Sequence, residues 1–355
     1  MAGSRDGPIP LTAIATGMGP ETLTLVVPGL FGSGHAQGKL PALELLVARA
    51  DPCAAPVVPH DSYEAALCGL FGIRAASGRD LPIAALTHLV DFEADHDGSW
   101  MRADPVYLRA DLGRLRLFDG EGLLIARDEA LGLAAEIAGV LGEHGFALHI
   151  GRDSRRWYLR LPNVPDIVTR PPLAALGDHI DPYLPAGPER RFWHRLANDV
   201  QMVLHGAAIN AAREGRGEPP INSLWFWGAG TMPARTPVRW ARVLADDALC
   251  LGLARHAEIA HGPVPGGACD LSTSGEIEGD VLVVLRPGTR VWTSQTADPS
   301  DPLHQLEEQW CAPLLTMLQH RRLARLTVYT DTRCFTITWA GAWRVWRRAR
   351  PLPSS

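Results

Sequence analysis

The sequence predicts an α/β protein in which a mixed β-sheet is covered by helices. The first observation is composition: 46% of the 355 residues are apolar and 21% are charged, which suffices for a large buried core. The second is that segments with β-type alternation are interleaved with segments that have helical spacing. The third is a proline-rich stretch, 162–188, that separates two such alternating halves. Alternating helices and strands are typical of a sheet packed against helices.

The first half opens with a strand, a glycine-rich loop and a helix. The expected strand is Thr22–Pro28, and the loop runs from Gly29 to Gly38. Further on, pairs of strands flank a helix that ends at Gly145, a residue type that commonly follows helices. The predicted helices are 40–49, 62–73, 82–90 and 128–144, and the predicted strands are 100–109, 114–118, 146–150 and 157–161.

The proline-rich stretch suggests how the chain is divided into domains. We expect an N-terminal α/β region over 1–165, a Pro-rich connection over 166–188 and a C-terminal α/β region over 189–355, with one single domain as the alternative. In the second half, the predicted helices are 189–213, 245–256 and 302–320, and the predicted strands are 223–227, 280–285 and terminal strands up to 348.

Composition and charge argue against several classes of protein. No apolar stretch reaches the roughly 20 residues that a bilayer span needs, and the first residues do not form a secretory signal. We therefore expect a cytoplasmic protein without a membrane partner. The net charge of −5 argues against nucleic acid as a partner. The six cysteines have no CxxC spacing, so we expect buried, reduced thiols. No cofactor is predicted.

The glycine-rich loop matches none of the motifs that it resembles. A P-loop would need glycine at Ser33 and Ser or Thr at Leu40, and a dinucleotide fingerprint would need glycine at Gln37. A serine hydrolase would need a GxSxG turn, which the chain lacks. We interpret the loop as a turn that reverses the chain.

Two polar clusters contain residue types that bind metals. They are Asp95, His96 and Asp97, and Asp178, His179 and Asp181. Neither cluster has HxH or HxxxH spacing, and the same residues are common in solvated turns. We assign no metal ligand from the sequence, and whether Asp95, His96, Asp178, His179 and Asp181 converge is a question for the fold.

The segment from Trp193 to Gly230 concentrates polar and aromatic residues. In its predicted helix, His194, Asn198, Gln201 and His205 form one stripe, since residues three and four apart share a face. The donors and acceptors of such a stripe need partners, either in a ligand or in neighbouring backbone. The two histidines are roughly 16 Å apart along a helix, too far to chelate one metal ion.

The strand that follows this helix places Trp225 and Trp227 on one face. Exposed, they would form a stacking platform for a sugar, base or peptide; buried, they would be core. We predict that this region binds an unknown small metabolite or a protein partner. The predicted ligand-binding residues are Asp104, His194, Asn198, Gln201, His205, Asn210, Arg213, Asn222, Ser223, Trp225 and Trp227.

Near the C-terminus, the sequence WRVWRRAR combines four arginines with two tryptophans. This composition can hold phosphate or nucleic acid. It is also typical of a last edge strand whose exposed edge is blunted by arginine. Without a wider basic surface, we favour the edge strand.

Three segments together resemble a known family. They are 193–230, Gly98–Asp111 (GSWMRADPVYLRAD) and Trp343–Leu352 (WRVWRRARPL). The pattern resembles the regulatory protein family of the RpfE type, named from gene clusters that regulate pathogenicity factors in plant-pathogenic bacteria. Its relatives are often labelled as predicted cofactor-independent phosphoglycerate mutases. That label implies an alkaline-phosphatase-like α/β fold with two metals and a Ser or Thr nucleophile. Since the Asp and His residues that would bind these two metals are not evident in this sequence, the resemblance implies a degenerate alkaline-phosphatase-like architecture.

Three functions are consistent with these observations. The first is a bacterial regulatory or ligand-sensing protein of the RpfE type, which binds a small phosphorylated metabolite or a protein partner without catalysis. The second is a metal-dependent, phosphoglycerate mutase-like phosphotransferase. The third is a protein-interaction module that acts through the tryptophans of the segment 193–230.

Overall fold

The computed structural model describes residues 21–31, 39–53, 62–93, 97–111, 113–118, 123–272, 279–286, 302–330 and 333–349. Packing divides the chain into two units. The first unit consists of residues 1–55, 239–246 and 262–355, and the second of residues 56–238 and 247–261. The predicted connection at 166–188 lies within the second unit, and the chain passes between the units at other positions.

The described residues alternate between helices and strands, as the sequence predicts. The strands are β1 (Thr22–Val26), β2 (Asp51–Pro52), β3 (Ser99–Asp111), β4 (Arg114–Phe118), β5 (Ala147–Ile150), β6 (Trp157–Leu161), β7 (Ser223–Gly230), β8 (Trp240–Ala245), β9 (Ala260–Gly262), β10 (Asp280–Val284), β11 (Arg325–Tyr329) and β12 (Cys334–Thr338). The α-helices are α1 (Pro41–Arg49), α2 (Tyr63–Leu70), α3 (Ile83–Asp91), α4 (Arg127–Gly142), α5 (Arg190–His205), α6 (Ala208–Gly215), α7 (Ala248–His256), α8 (Pro302–Leu306), α9 (Ala312–Gln319) and α10 (Trp339–Ala342). A π-helical turn, Glu307–Cys311, joins α8 to α9.

The first unit is built on a seven-stranded mixed sheet with the order β2-β12-β11-β1-β10-β8-β9. Strands β11, β1, β10 and β8 run parallel, whereas β12 and β2 are antiparallel to their neighbours. Thr22 at the start of β1 pairs with Asp280 on one side and with Arg325 on the other. The last four residues of β1 are buried, as expected for a central parallel strand. The predicted mixed sheet covered by helices is confirmed.

Apolar side chains of α1 and α9 pack on this sheet and form the core of the first unit. Leu43 and Leu46 of α1, Leu314 and Leu318 of α9, and Val283 of β10 belong to one buried cluster. Their spacing of three and four residues places each pair on one face of its helix. Burial of this face holds the two short helices on the sheet, because isolated helices of this length are marginal in water.

The cysteines differ in part from the prediction. Cys53 and Cys334 form a disulfide that links the residue after β2 to the first residue of β12. The expectation of reduced thiols is therefore wrong for this pair. The other cysteines, Cys68, Cys250 and Cys311, are buried thiols as expected, and Cys269 is an exposed thiol. Burial raises the pKa of the Cys68 and Cys311 thiols, which keeps them in the neutral form.

The second unit contains an antiparallel sheet with the order β4-β3-β6-β5, and β7 also pairs with β3. Arg102 of β3 pairs with Tyr158 of β6 and with Trp227 of β7, and Asp104 pairs with Trp225. Directly paired residues point to the same side of a sheet. These five side chains therefore share one face, which is the polar face of this sheet.

The opposite face of this sheet is apolar. Met101 of β3 and Phe226 of β7 belong to one buried cluster with Ile137 of α4 and with Leu196 and Val200 of α5. On the polar face, α3 packs through alanine residues against Trp100 and Tyr158. Helices thus cover both faces of the second sheet.

Two predicted elements differ from the structure. The single helix predicted over 189–213 is divided into α5 and α6, because α5 ends at His205, Gly206 caps it and Ala207 is extended. The strand predicted near residues 343–348 is not formed: α10 ends at Ala342, and hydrogen bonds such as Arg347 N to Arg344 O close successive turns. Within the described part of the chain, no helix is long and apolar enough to cross a membrane.

Candidate functional site

The four parallel strands β8, β10, β1 and β11 end at the same edge of the first unit's sheet. Ligands of open α/β sheets bind in the crevice outside this edge. Polar residues and turn residues follow the strands there, and we call them the carboxyl-edge site. This site consists of Pro28, Gly29, Asp246, Arg286, Thr330 and Arg333.

The turns at this edge are held by specific contacts. Gly29 follows β1 with a φ of 75°, a conformation that glycine adopts without strain. The hydroxyl of Thr330, which follows β11, accepts a hydrogen bond from Arg333 N at 3.0 Å. The guanidinium of Arg333 lies 5.2 Å from the centre of the Phe31 ring. Arg333 is therefore fixed beside the chain that leaves β1.

The charges at this edge favour an anion. Arg286 follows β10 and Arg333 follows β11, so an arginine comes after each of the two strands that neighbour β1. Asp246, which follows β8, is exposed and accepts a hydrogen bond from Val264 N at 3.2 Å. Guanidinium groups bind phosphate or carboxylate oxygens through paired donors. The two arginines make this edge suited to an anionic group.

The N-terminus of α1, by contrast, is already occupied by a side chain of the protein. Glu307 is buried, and its carboxylate accepts hydrogen bonds from Ala42 N at 2.6 Å and from Leu43 N at 2.9 Å. These are amide groups of the first turn, which lack partners within the helix. A phosphate at this helix end would have to displace Glu307, so the helix that follows the glycine-rich loop offers no open anion site. Residues 32–38 of that loop lie outside the described residues.

The predicted polar stripe of α5 divides into residues with internal partners and exposed residues. His194 Nε2 lies 3.0 Å from Pro185 O, and Gln201 Nε2 donates to the hydroxyl of Ser223 at 3.1 Å. Asn198 and His205 are exposed. The stripe therefore does not line a single cavity, and a ligand role for its residues stays a prediction.

The amides of Asn210 and Asn222 bind backbone, which is one of the two alternatives that the sequence leaves open. Asn210 is buried and donates to Leu204 O and Ile221 O, both at 2.8 Å. Asn222 accepts from Leu108 N at 2.8 Å and donates to Leu108 O at 2.7 Å, like a residue of a strand. Asn210 thus joins the end of α5 to the residues before β7, and Asn222 extends the pairing of β3 with β7 by one further residue.

The side chain of Arg213 also binds groups within the protein. It is 1% exposed, and its guanidinium donates to Glu129 at 2.6 Å, to Leu124 O at 3.0 Å and to Pro219 O at 3.0 Å. A buried guanidinium needs such partners, because an unpaired buried charge is strongly destabilising. Arg213 thereby attaches the end of α6 to the start of α4.

Asp104, Trp225 and Trp227 lie in the interior of the second unit. Trp225 is 6% and Trp227 is 8% exposed, so they form core rather than a stacking platform. Trp225 Nε1 donates to Arg170 O at 2.8 Å. Trp227 Nε1 donates to Asp104 at 2.7 Å, and both Arg102 Nε and one terminal nitrogen of Arg102 donate to the same carboxylate at 2.9 and 2.7 Å.

Further buried charges surround this pair. Asp91 accepts hydrogen bonds from Tyr158 Oη at 2.6 Å and from Arg156 at 2.6 and 2.7 Å. The guanidinium of Arg102, which binds Asp104, lies 5.2 Å from the centre of the Tyr158 ring. Since Tyr158 donates to Asp91, Arg102 and Tyr158 together connect the carboxylates of Asp104 and Asp91. We call this set the buried ion-pair cluster. Its members are Asp91, Arg102, Asp104, Arg156, Tyr158 and Trp227.

Burial and charge have opposite effects on the carboxyl groups of the buried ion-pair cluster. Burial raises the pKa of Asp104, and Arg102 and Trp227 counteract this only in part. Burial would also raise the pKa of Asp91, but hydrogen bonds and charge from Arg156 outweigh it and lower that pKa. Of this cluster, only Asp104 and Trp227 are among the residues predicted from the sequence. The alternation of Arg102 and Asp104 along one strand places both side chains on one face and could have indicated Arg102 as well.

The described residues do not supply the metal ligands that a phosphoglycerate mutase-like activity implies. In the described ranges, no group of three or more His, Cys, Asp or Glu side chains is placed to hold a metal ion. The carboxylate of Asp178 accepts hydrogen bonds from His179 N at 2.7 Å and from Tyr183 Oη at 3.0 Å. Asp181 begins a short 3-10 helix. Asp95 and His96 lie outside the described residues. No reaction step is therefore assigned to a metal.

Comparison with known proteins gives a partial relationship. No profile of a known protein family matches the chain. The chain is 30% identical to the 2,3-bisphosphoglycerate-independent phosphoglycerate mutase of Methanosarcina barkeri over 151 residues, which are 41% of this chain and 38% of that protein. It is 38% identical to the same enzyme of Methanosarcina mazei over 66 residues, 19% of this chain and 17% of that protein. The chain thus spans about two fifths or less of the length of these relatives.

The fold is similar to that of a solved structure of low sequence identity. The PH0037 protein from Pyrococcus horikoshii has a TM-score of 0.52 and 14% identity, with 90% of this chain and 87% of that chain covered. A cofactor-independent phosphoglycerate mutase from Thermoplasma acidophilum has a TM-score of 0.40 and 18% identity, with 89% and 88% covered. The partial sequence matches confirm the expected likeness to proteins named as cofactor-independent phosphoglycerate mutases over part of the chain, whereas the RpfE type stays a prediction.

Proposed function

We propose that this protein is a phosphoglycerate mutase-like protein that binds a small phosphorylated hydroxy acid at the carboxyl-edge site. The observation that carries this proposal is the 30% identity to a phosphoglycerate mutase over 151 residues. The parallel strand ends provide the usual location for a ligand in this fold class. Arg286 and Arg333 provide donors suited to the phosphate and carboxylate groups of such an acid.

A thermal-unfolding experiment tests binding. Purified protein is heated with 2-phosphoglycerate, 3-phosphoglycerate or glycerate, each with Mn²⁺, Mg²⁺ or a chelator. A ligand at about 100 times its dissociation constant stabilises the folded state by about 2.7 kcal/mol, so the phosphorylated acids raise the midpoint and glycerate does not. Arg286→Ala abolishes the shift, and the exposed control Arg114→Ala in the second unit retains it.

A coupled assay for interconversion of the two phosphoglycerates then separates the functions. Turnover identifies a phosphotransferase, and a midpoint shift without turnover identifies the ligand-sensing function expected of a regulatory protein. Absence of both a shift and turnover, in every metal condition, contradicts the proposal. In that case the protein-interaction hypothesis gains support.

A further inference from the structure

The segment that follows β12 exposes large aromatic side chains. Trp339 of α10 is 39% exposed, and beyond that helix Trp343 is 55%, Val345 is 67% and Trp346 is 74% exposed. Tryptophans of folded proteins are highly buried on average. A cluster of exposed apolar side chains in a short segment is typical of an interaction site.

This segment is held in place rather than left as a free tail. Arg344 donates to both carboxylate oxygens of Asp51 at 2.6 and 2.7 Å, and Arg347 donates to Ala50 O at 2.8 Å and to Asp51 at 3.1 Å. In addition, Arg49 of α1 donates to Ala342 O at the end of α10, at 2.5 Å. Several charged hydrogen bonds thus attach the segment to the chain between α1 and β2. The exposed indoles start from a fixed backbone, which lowers the entropic cost of binding a partner.

An arginine stacks on one of the exposed indoles, and further arginines lie near them in the chain. The guanidinium of Arg321, which follows α9, lies 4.0 Å from the centre of the Trp339 ring. Arg325 pairs with Thr338, the residue before Trp339. Arg325 and Arg348 are exposed, and within the described ranges no carboxylate forms an ion pair with either. The local charge is therefore positive, although the chain as a whole has a net charge of −5.

We call this region the Trp-Arg surface. It consists of Arg321, Arg325, Trp339, Trp343, Trp346 and Arg348. A membrane-surface helix needs a long apolar face, whereas α10 has four residues. Nucleic-acid binding needs an extended basic groove, whereas the net charge of the chain is negative. A protein contact needs only a few anchors, and Trp and Arg are the residue types most enriched among them.

We propose that the Trp-Arg surface docks an acidic segment of another protein, with carboxylates on the arginines and apolar side chains on the indoles. The positive charge of Arg325 and Arg348, which no carboxylate of the described residues neutralises in an ion pair, favours the acidic partner by charge complementarity. Arg325 begins β11 and Trp339 follows β12, which runs antiparallel to β11, so these residues lie at the opposite end of the two strands from Thr330 and Arg333 of the carboxyl-edge site. The docking proposal therefore stands independently of phosphoglycerate binding.

A library of random peptides displayed on phage tests this proposal with the full chain as bait. Selection on the wild type is followed by depletion on the Trp343→Ser/Trp346→Ser variant. The expected consensus combines Asp or Glu with Leu or Phe. A fluorescent peptide of that consensus then binds Trp346→Ser or Arg348→Glu about tenfold or more weakly than the wild type, and added salt weakens binding further.

Matched controls separate docking from general surface effects. Met202→Ser removes another exposed apolar side chain, 70% exposed, and Arg114→Glu reverses another exposed charge; both retain wild-type affinity for the peptide. Unchanged thermal midpoints of all variants confirm that they fold. The proposal is overturned if no peptides are enriched, if enriched peptides bind the double variant as tightly as the wild type, or if single-stranded DNA or phosphatidylserine vesicles bind the wild type more tightly than the peptide.

Discussion

Asp91 is one of the two carboxylates of the buried ion-pair cluster. Besides Tyr158 and Arg156, it accepts a hydrogen bond from Arg152 N at 3.0 Å, and its side chain is fully buried. Nearby, burial would raise the pKa of Asp153, but hydrogen bonds from Arg155 and the charge of Arg156 hold it at about 2. Arg156 contacts both carboxylates and joins the end of α3 to the turn before β6.

The lowered pKa values of Asp91 and Asp153 predict an acid-sensitive second unit. A carboxyl group with a folded pKa below its unfolded value stabilises the fold above the unfolded pKa, and this contribution is lost as the pH falls through the folded pKa. We expect the wild type to lose stability between about pH 4 and pH 2, the pKa of Asp153. Asp91→Asn costs about 3 kcal/mol at pH 7 and shows a shallower loss in that window.

Urea unfolding at a series of pH values measures this effect. The control is Glu143→Gln, because Glu143 is exposed at the end of α4. A variant Asp91→Asn with wild-type stability at pH 7, or with an unchanged pH slope, would contradict the role assigned to this carboxylate.

Residue types alone could not distinguish binding groups from structural groups in the segment 193–230. The sequence shows that Asn210 and Asn222 need hydrogen-bond partners, and this requirement is met by backbone of distant segments. Likewise, a strand with Trp225 and Trp227 on one face is compatible with both exposure and burial. The choice depends on whether another layer covers that face, and α3, which covers it, lies more than a hundred residues earlier in the chain.

At the scale of elements, α1 depends on a distant side chain for its N-terminus. Its first turn begins with Pro41 and has no local side-chain cap, and Glu307 supplies the missing acceptors from the π-helical turn between α8 and α9. A π-turn inserts an extra residue into a helix and changes the direction of its side chains. The contact joins two elements that the sequence separates by more than 250 residues.

Glu307→Ala is expected to destabilise the protein by about 1–2 kcal/mol, since α1 loses its cap and two amide groups lose their acceptors. Glu307→Gln keeps one acceptor oxygen, so we expect a smaller loss of stability than for Glu307→Ala. The neighbouring Glu308 is exposed, which makes Glu308→Ala a matched control within the same turn. Chemical denaturation of the three variants measures the differences, and equal midpoints for the two alanine variants would rule out this capping role.

Elements with a clear local pattern were predicted well, and those defined by distant contacts were not. Strands β4 and β6 have the predicted bounds, because alternation and flanking turns define them locally. Strand β8 was missed, since its interior position comes from pairing with β10 rather than from a flanking turn signal. The carboxyl-edge site was missed for a related reason: Asp246, Arg286 and Thr330 are far apart in sequence, and only the strand order brings them to one edge.

At the scale of the whole molecule, the second unit is inserted into the first. The chain leaves the first unit after residue 55, returns at 239, and leaves once more for residues 247–261. The disulfide between Cys53 and Cys334 closes a loop with a sequence separation of 281, which includes all of the inserted residues. Shorter groups of prolines flank these passages, such as Pro233 and Pro237 before residue 239 and Pro263 and Pro265 after residue 261. The longer proline-rich stretch 162–188 lies within the second unit, so composition placed the boundary there instead.

This disulfide predicts a stability that depends on redox conditions. Cys53→Ser, or treatment of the wild type with a reductant, is expected to lower the free energy of unfolding by about 2–4 kcal/mol, because a long loop of the unfolded chain is released. Cys269→Ser leaves it unchanged, since Cys269 is an exposed free thiol. Denaturant unfolding with and without reductant measures the difference, and a wild type that is insensitive to reductant would show that the bond does not contribute.

The strand order also determines when each unit can form during synthesis. Strand β1 is synthesised before the whole second unit, but its two partners, β10 and β11, begin only at residues 280 and 325. The second unit is complete by residue 261 and can fold while β1 is still unpaired. The central strand of the first sheet therefore waits for its neighbours during synthesis of more than 250 residues, and its unpaired backbone edges need protection on the nascent chain in the meantime.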